Sequence, residues 1–198
     1  MKYATASFIS LEEFVNIAVS VVAISLALTF NTAGGLSVKP PDFVFYMGVF
    51  TLTVGIGFVL HELAHKFTAM RYGAWAQFRA WPAGLLLMLG MALFLPIMFL
   101  APGAVYIYSP YINKKQNGII SVAGPLTNLA LVAVFGVIYA FSFGTVREIA
   151  SLGASVNAFL AFFNMIPIFP LDGSKVLAWD WRVWLAVIAV AFLLSGGF

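Results

Sequence analysis

With 63% of its 198 residues hydrophobic, 9% charged and a mean hydropathy of +1.02, the chain does not read as a soluble domain, whose charged fraction is about 25%. It reads as an all-α polytopic membrane protein. The net charge of +3 and pI near 9.3 exclude no membrane role and do not point to nucleic acid, because the basic residues stand at the ends of apolar runs. Cysteine is absent, so any metal must be held by nitrogen and oxygen.

A transmembrane helix needs about 20 apolar residues. Runs near this length occupy 14–30, 43–63, 82–101, 119–143, 154–169 and 182–198, about six segments within a single domain of residues 1–198. Glu12 and Glu13 precede the first run, which lacks the basic start and small-residue cleavage site of a signal peptide. A connector with Gly34, Gly35, Pro40 and Pro41 leads to the second run, which ends on His61-Glu62-Leu63-Ala64-His65. Lys66, Arg71 and Arg79 follow, so this end and the N-terminus are expected in the cytoplasm of a multi-pass cell-membrane protein.

The third run, 82–101, poses a parity problem. If it crossed, Lys114 and Lys115 would lie outside and Asp172 would fall on the face opposite His61. If it enters and returns, those lysines stay inside with Lys2, Lys66, Arg71, Arg79, Lys175 and Arg182. Gly84, Gly90, Pro96, Pro102 and Gly103 supply breaks for a bent path. The expectation is five spans plus one bent or re-entrant segment. Gly103–Tyr108 then reads as a short membrane-associated strand, which must satisfy its backbone within the protein. Pro167 and Pro170 break the fifth run before Leu171-Asp172-Gly173, and a tryptophan-rich connector around Asp180 precedes the last.

At positions i and i+4 of a helix, His61 and His65 share a face and can present ring nitrogens to one metal ion, as in a zinc helix. Glu62 lies about 100° round the helix, within reach of a water on that metal. These are the only 2 histidines, and catalytic zinc takes three protein ligands, so the third must be a carboxylate. Glu12, Glu13, Asp42 and Glu148 flank spans and read as solvated interface residues, and Asp180 sits in a connector. That leaves Asp172, whose ionised carboxylate near hydrocarbon is costly unless paired, although Asp-Gly is also an ordinary turn signal. Zn²⁺ with Glu62 and Asp172 ionised sums to zero charge, and zinc lowers the pKa of its water to about 7. Glu62 can then take the water's proton and pass it to a leaving amine.

The combination of H-E-L-A-H at 61–65 with N-x-x-P-x-x-P-L-D-G from Asn164 to Gly173 resembles the site-2 protease family of intramembrane zinc metalloproteases. Gly124-Pro125-Leu126-Thr127-Asn128, between them, is similar to the family's Gly-Pro element. The motifs stand in family order over about 45–177, and the catalytic core is expected at about 43–177. The resemblance implies one Zn²⁺ per chain on His61, His65 and Asp172, with Glu62 as catalytic acid–base. It implies that Asn164 holds the substrate carbonyl or oxyanion. Asn128 is a second candidate for that role, or a helix-bridging amide. The strand would present substrate in extended form, with Tyr106 and Tyr108 as substrate contacts or as interface aromatics. The inserted run 82–101 departs from the family's simplest members, and no PDZ or CBS module is evident. The implied activity is Glu-assisted attack of zinc-bound water on a peptide bond in or near the transmembrane segment of another membrane protein in the lipid bilayer. The alternative is a zinc-binding membrane protein without hydrolysis, a carrier or inactive scaffold; Glu62 argues against it, since a carrier needs no acid–base group.

Overall fold

Capping and turn chemistry set the element boundaries of the chain, a computed structural model of which describes residues 9–95, 102–109 and 111–196. Lys2, Pro96 and the ends of the third and sixth apolar runs lie outside the described residues. Helix α1 (Leu11–Ala33) starts where Ser10 Oγ accepts the Glu13 N–H at 3.1 Å, and stops at Gly34, whose φ of 92° suits glycine. Pro40 and Pro41 open the next helix, where a missing N–H costs nothing. It runs continuously as α2 (Pro40–Phe50), a π turn (Thr51–Gly55) and α3 (Ile56–Arg71). The chain then forms β1 (Trp75–Ala80), α4 (Pro82–Phe94) and β2 (Gly103–Tyr108). A reciprocal Asn113–Gln116 capping box opens α5 (Lys114–Phe141), followed by α6 (Gly144–Asn164) and α7 (Asp172–Trp179). Asp180 caps α8 (Trp181–Ser195) by accepting from Arg182 N and Val183 N.

Among the described residues, 4 helices are long and apolar enough to cross a membrane: α1, the continuous Pro40–Arg71, α5 and α6. Helices α4 and α8 are apolar but shorter. The 13 residues of α4 rise about 20 Å, short of a hydrocarbon core of about 30 Å. The Trp81 N–H donates to the Pro102 carbonyl at 2.9 Å. The described ends of the run 82–101 therefore meet, Trp81 beside Pro102, as a bent path requires.

Helix α5 is central, packing on α3, α6 and α7. Its contact with α6 is close because Ala150, Ala154, Ala158 and Ala161 are all buried on that helix. A Cβ on Gly153 would meet the Phe135 ring at 2.8 Å. Small residues at four-residue spacing let helix backbones approach where lipid supplies no hydrophobic drive.

The strand β1 was not predicted: it is six residues long, and Gln77 and Arg79 give it the polarity of a connector. Its turn signal is Gly73, at φ 75°. β1 pairs antiparallel with β2, Gln77 opposite Tyr106 and Phe78 opposite Val105. Phe78 packs edge-on against Phe58 with centroids 5.5 Å apart, which ties the sheet to α3.

The first turns of α1 seal the other edge of β1. Phe78 N donates to Glu13 Oε1 and Ala80 N to Asn16 Oδ1, each at 3.0 Å. Glu13 in turn holds Lys66 Nζ at 2.5 Å, with exposures of 1% and 5%. Two expectations are corrected here. Glu13 is a buried strand cap, not a solvated interface residue, and Lys66 is its counter-ion, not a free basic group. An edge strand inside a bundle has no water to satisfy its N–H groups, so side chains from α1 do so.

Removing one partner strands the other charge, so Lys66→Met should destabilise the protein by about 3–5 kcal/mol in detergent unfolding; pairing it with Glu13→Gln should recover part of the loss. The chain has no cysteine, so single cysteines report topology cleanly. Tyr72→Cys and Lys114→Cys should label from one side of the membrane and Thr145→Cys from the other.

Candidate metal centre

The π turn adds one residue to the helical repeat just before α3 and re-phases the face that follows. On that face His61 and His65 bring their rings to 4.6 Å between centroids and their Nε2 atoms to 2.9 Å. Asp172 is the first residue of α7, with Oδ2 3.0 Å from His65 Nε2 and 3.5 Å from His61 Nε2. Glycine at 173 makes this possible, since a Cβ there would run into the Met165 backbone at the end of α6. The same Met165 carbonyl accepts Trp184 Nε1 at 2.8 Å, which ties the turn to α8.

The donor set fits one zinc ion. His65 Nδ1 faces the Ile120 carbonyl at 2.8 Å, and a carbonyl only accepts, so that nitrogen carries the proton and, in the neutral ring, Nε2 is bare. His61 Nδ1 is likewise engaged, by Asn128 Oδ1 at 2.5 Å. Three electron-pair donors then face one another inside a buried site, an arrangement that needs a cation among them. Tetrahedral zinc with bonds of 2.0–2.2 Å separates its ligands by about 3.3 Å, and the observed 2.9, 3.0 and 3.5 Å bracket that value. These atoms form the His/Asp cluster suited to a metal among the described residues. Gly124 leaves the space open: a Cβ there would lie 2.5 Å from His65 Nε2 and 2.6 Å from His61 Nε2.

Asp172 lies outside the four spanning helices. Its carboxylate also faces the Lys175 ammonium, with Oδ1 3.5 Å from Nζ.

Glu62 is buried beside the histidines, and its Oε2 has no hydrogen-bond partner among the described residues. Strand β2 runs beside it along the same cavity. The sheet register sets which backbone groups of β2 face that cavity. Phe78 N and Ala80 N point away from β2, toward α1, so the alternation of an antiparallel pair turns the backbone groups of Val105 and Ile107 to the open edge of β2. Both residues line the cavity that holds Glu62, His61, His65 and Asp172.

The remaining predicted residues separate. Asn164 lines the same cavity, with Nδ2 donating to the Leu160 carbonyl at 2.9 Å. Asn128 does not: it is fully buried, spans α3 and α6, and spends its amide on His61, Asn157 and the Gly57 carbonyl. The helix-bridging reading describes it, and a substrate-facing one does not. Tyr106 and Tyr108 stand on the outward face of β2, 54% and 50% exposed, with Tyr108 against Trp75 at 4.9 Å. The strand flanks the cavity, but its tyrosine rings turn away from it, as interface aromatics do.

Two residues of the site were not singled out from the sequence. Lys175, counted there only as a basic group, lines the cavity with Nζ 3.5 Å from Asp172 Oδ1; its place one turn after Asp172 was the available signal. Asn157 was an unremarked amide in an apolar run, which by itself marks a functional candidate.

Comparison with known proteins agrees with this chemistry. The chain is 41% identical over 181 residues to the putative zinc metalloprotease MJ0611 of Methanocaldococcus jannaschii, covering 90% of each chain. It is 29% identical over 150 residues to the putative zinc metalloprotease Rip2 of Mycobacterium tuberculosis, covering 67% of this chain and 58% of that protein. It is 29% identical over 145 residues to the zinc metalloprotease MJ0392 of Methanocaldococcus jannaschii, covering 72% of this chain and 37% of that one. No family model and no solved structure matches the chain.

If Gly124 keeps the metal space open, Gly124→Ala should abolish stoichiometric zinc in the purified protein. Asp172→Asn should lower zinc content while leaving helicity by circular dichroism intact.

Proposed function

Because the chain belongs to the site-2 protease family of zinc metalloproteases that these relatives represent, we propose that it is an intramembrane endopeptidase. Its substrates are other membrane proteins in the lipid bilayer, cut within or near a transmembrane segment. The observation that carries this reading is the unpartnered, buried Oε2 of Glu62 next to the two histidines. A carboxylate oxygen is expensive to bury without a partner, and a proton-accepting role accounts for it. A carrier would gain nothing from it.

In this mechanism His61, His65 and Asp172 hold Zn²⁺, which when bound supplies a Lewis acid that acidifies water and polarises a carbonyl. Glu62 Oε2 accepts the proton of the attacking water, and the same carboxyl delivers it to the leaving amide nitrogen as the C–N bond breaks. Asn164, on the cavity wall, donates to the substrate carbonyl. Lys175 adds positive charge where the oxyanion develops.

The substrate enters as an extended strand on the open edge of β2. A helix hides its carbonyls in i→i+4 hydrogen bonds, and hydrocarbon offers no replacement partners, so pairing with Val105 and Ile107 compensates the bonds lost on unwinding. Helix-weakening Gly, Pro or Asn near the scissile bond should therefore favour cleavage. The single domain, with its catalytic core at about 43–177, lies with the active-site end and the N-terminus in the cytoplasm, on the basic residues Arg71, Arg79, Lys114 and Lys115 that flank the crossings at that end.

Glu62→Gln should leave zinc stoichiometric while lowering cleavage of a reporter transmembrane peptide at least 10²-fold, the scale of general acid–base catalysis. Undiminished cleavage by the zinc-loaded variant would remove the proposal.

A further inference from the structure

The polar groups behind His61 form one directed chain through three helices. It begins at two groups that can only accept, the backbone carbonyls of Gly153 and Gly57. Asn157 Nδ2 donates to the Gly153 carbonyl at 2.8 Å, which turns Asn157 Oδ1 toward Asn128. Asn128 Nδ2 donates to that oxygen at 2.9 Å and to the Gly57 carbonyl at 3.4 Å. Asn128 Oδ1 is thereby left facing His61 Nδ1, at 2.5 Å. An oxygen in that position accepts, so the imidazole must donate. Asn128 and Asn157 are both 0% exposed, and water does not compete for these bonds. The approach depends on Gly57, since a Cβ there would strike the Asn157 amide.

We propose that Asn157, acting through Asn128, is a positioning residue that fixes His61 in the Nδ1-protonated tautomer and so presents a bare Nε2 lone pair to the metal. Neither amide touches substrate. A flipped amide at either position would set oxygen against oxygen, so the two carbonyl anchors determine every orientation between them. His65 has a separate anchor, the Ile120 carbonyl, so the two rings are set independently. The proposal rests on the metal-site part of the protease reading, and its test reads proton position and zinc affinity, not proteolysis.

The chain has 2 histidines, so ¹⁵N-histidine NMR of the full zinc-free chain in micelles, at a pH where both rings are neutral, is a two-ring measurement assigned with His65→Gln. Both rings of the parent should carry their proton on Nδ1. Asn157→Leu should release the His61 ring into a tautomer mixture, leave His65 unchanged, and weaken Zn²⁺ binding about 10–100-fold. Asn128→Leu should do the same, and the double variant should lose no more than Asn128→Leu alone, since the two act in series. An Nε2-protonated His61 in the parent overturns the proposal without any variant. Unchanged zinc affinity in Asn157→Leu, both rings changing together, or additive losses in the double variant would overturn it as well. A protein with both tautomers fixed and zinc bound, but no cleavage of any membrane substrate, would remove the protease reading and leave this one standing.

Discussion

Two bare imidazole nitrogens and a carboxylate oxygen held within 2.9 to 3.5 Å of one another, in the interior of an apolar bundle, are mutually repulsive without a positive charge between them. The rest of the fold answers to that constraint. Helix α5 comes close enough to supply the Ile120 carbonyl and the Asn128 amide only because Gly124 has no side chain. Helix α7 begins at Asp172 only because Gly173 lets it tuck against the end of α6. In water such a cluster would be screened or protonated at little cost. Among hydrocarbon side chains a dication both removes the repulsion and neutralises the carboxylates.

The two-stranded sheet solves a different problem with unequal edges. An unsatisfied strand edge at membrane depth is costly, and α1 closes one edge with Glu13 and Asn16, held in register by the Lys66 ion pair. The other edge, at Val105 and Ile107, is left for the cavity. Among the described residues, this open edge is where an extended peptide would add as a strand, and it lies beside Glu62. The open strand edge and Glu62 thus border one cavity.

Polar groups in the bundle are few and are placed in series. Asn128 and Asn157 join α3, α5 and α6 through a path that ends on a histidine nitrogen, along the same helix contact that the alanine stripe of α6 brings close. Helix packing and the orientation of a ligand are therefore parts of one arrangement: loosening the α5–α6 contact would also loosen the ring.

Much of the site was legible in the sequence because its chemistry is restrictive. With two histidines and no cysteine, spacing gave the shared helix face, and elimination among a handful of acidic residues gave Asp172. A bent path for the run 82–101 was expected from the parity of basic loops, because charge at loop ends constrains the path of a chain through a bilayer. The short strand Gly103–Tyr108 was readable from its own residues. Its partner was not, since Trp75–Ala80 is stabilised by side chains of α1 some sixty residues away and carries no local pattern. For the same reason the burial of Glu13 and Lys66, the outward turn of Tyr106 and Tyr108, and the assignment of Asn128 to His61 were decided by tertiary structure. Composition and spacing determine which groups are present and which share a face; which atom meets which depends on how helices distant in sequence approach, and no local signal encodes that.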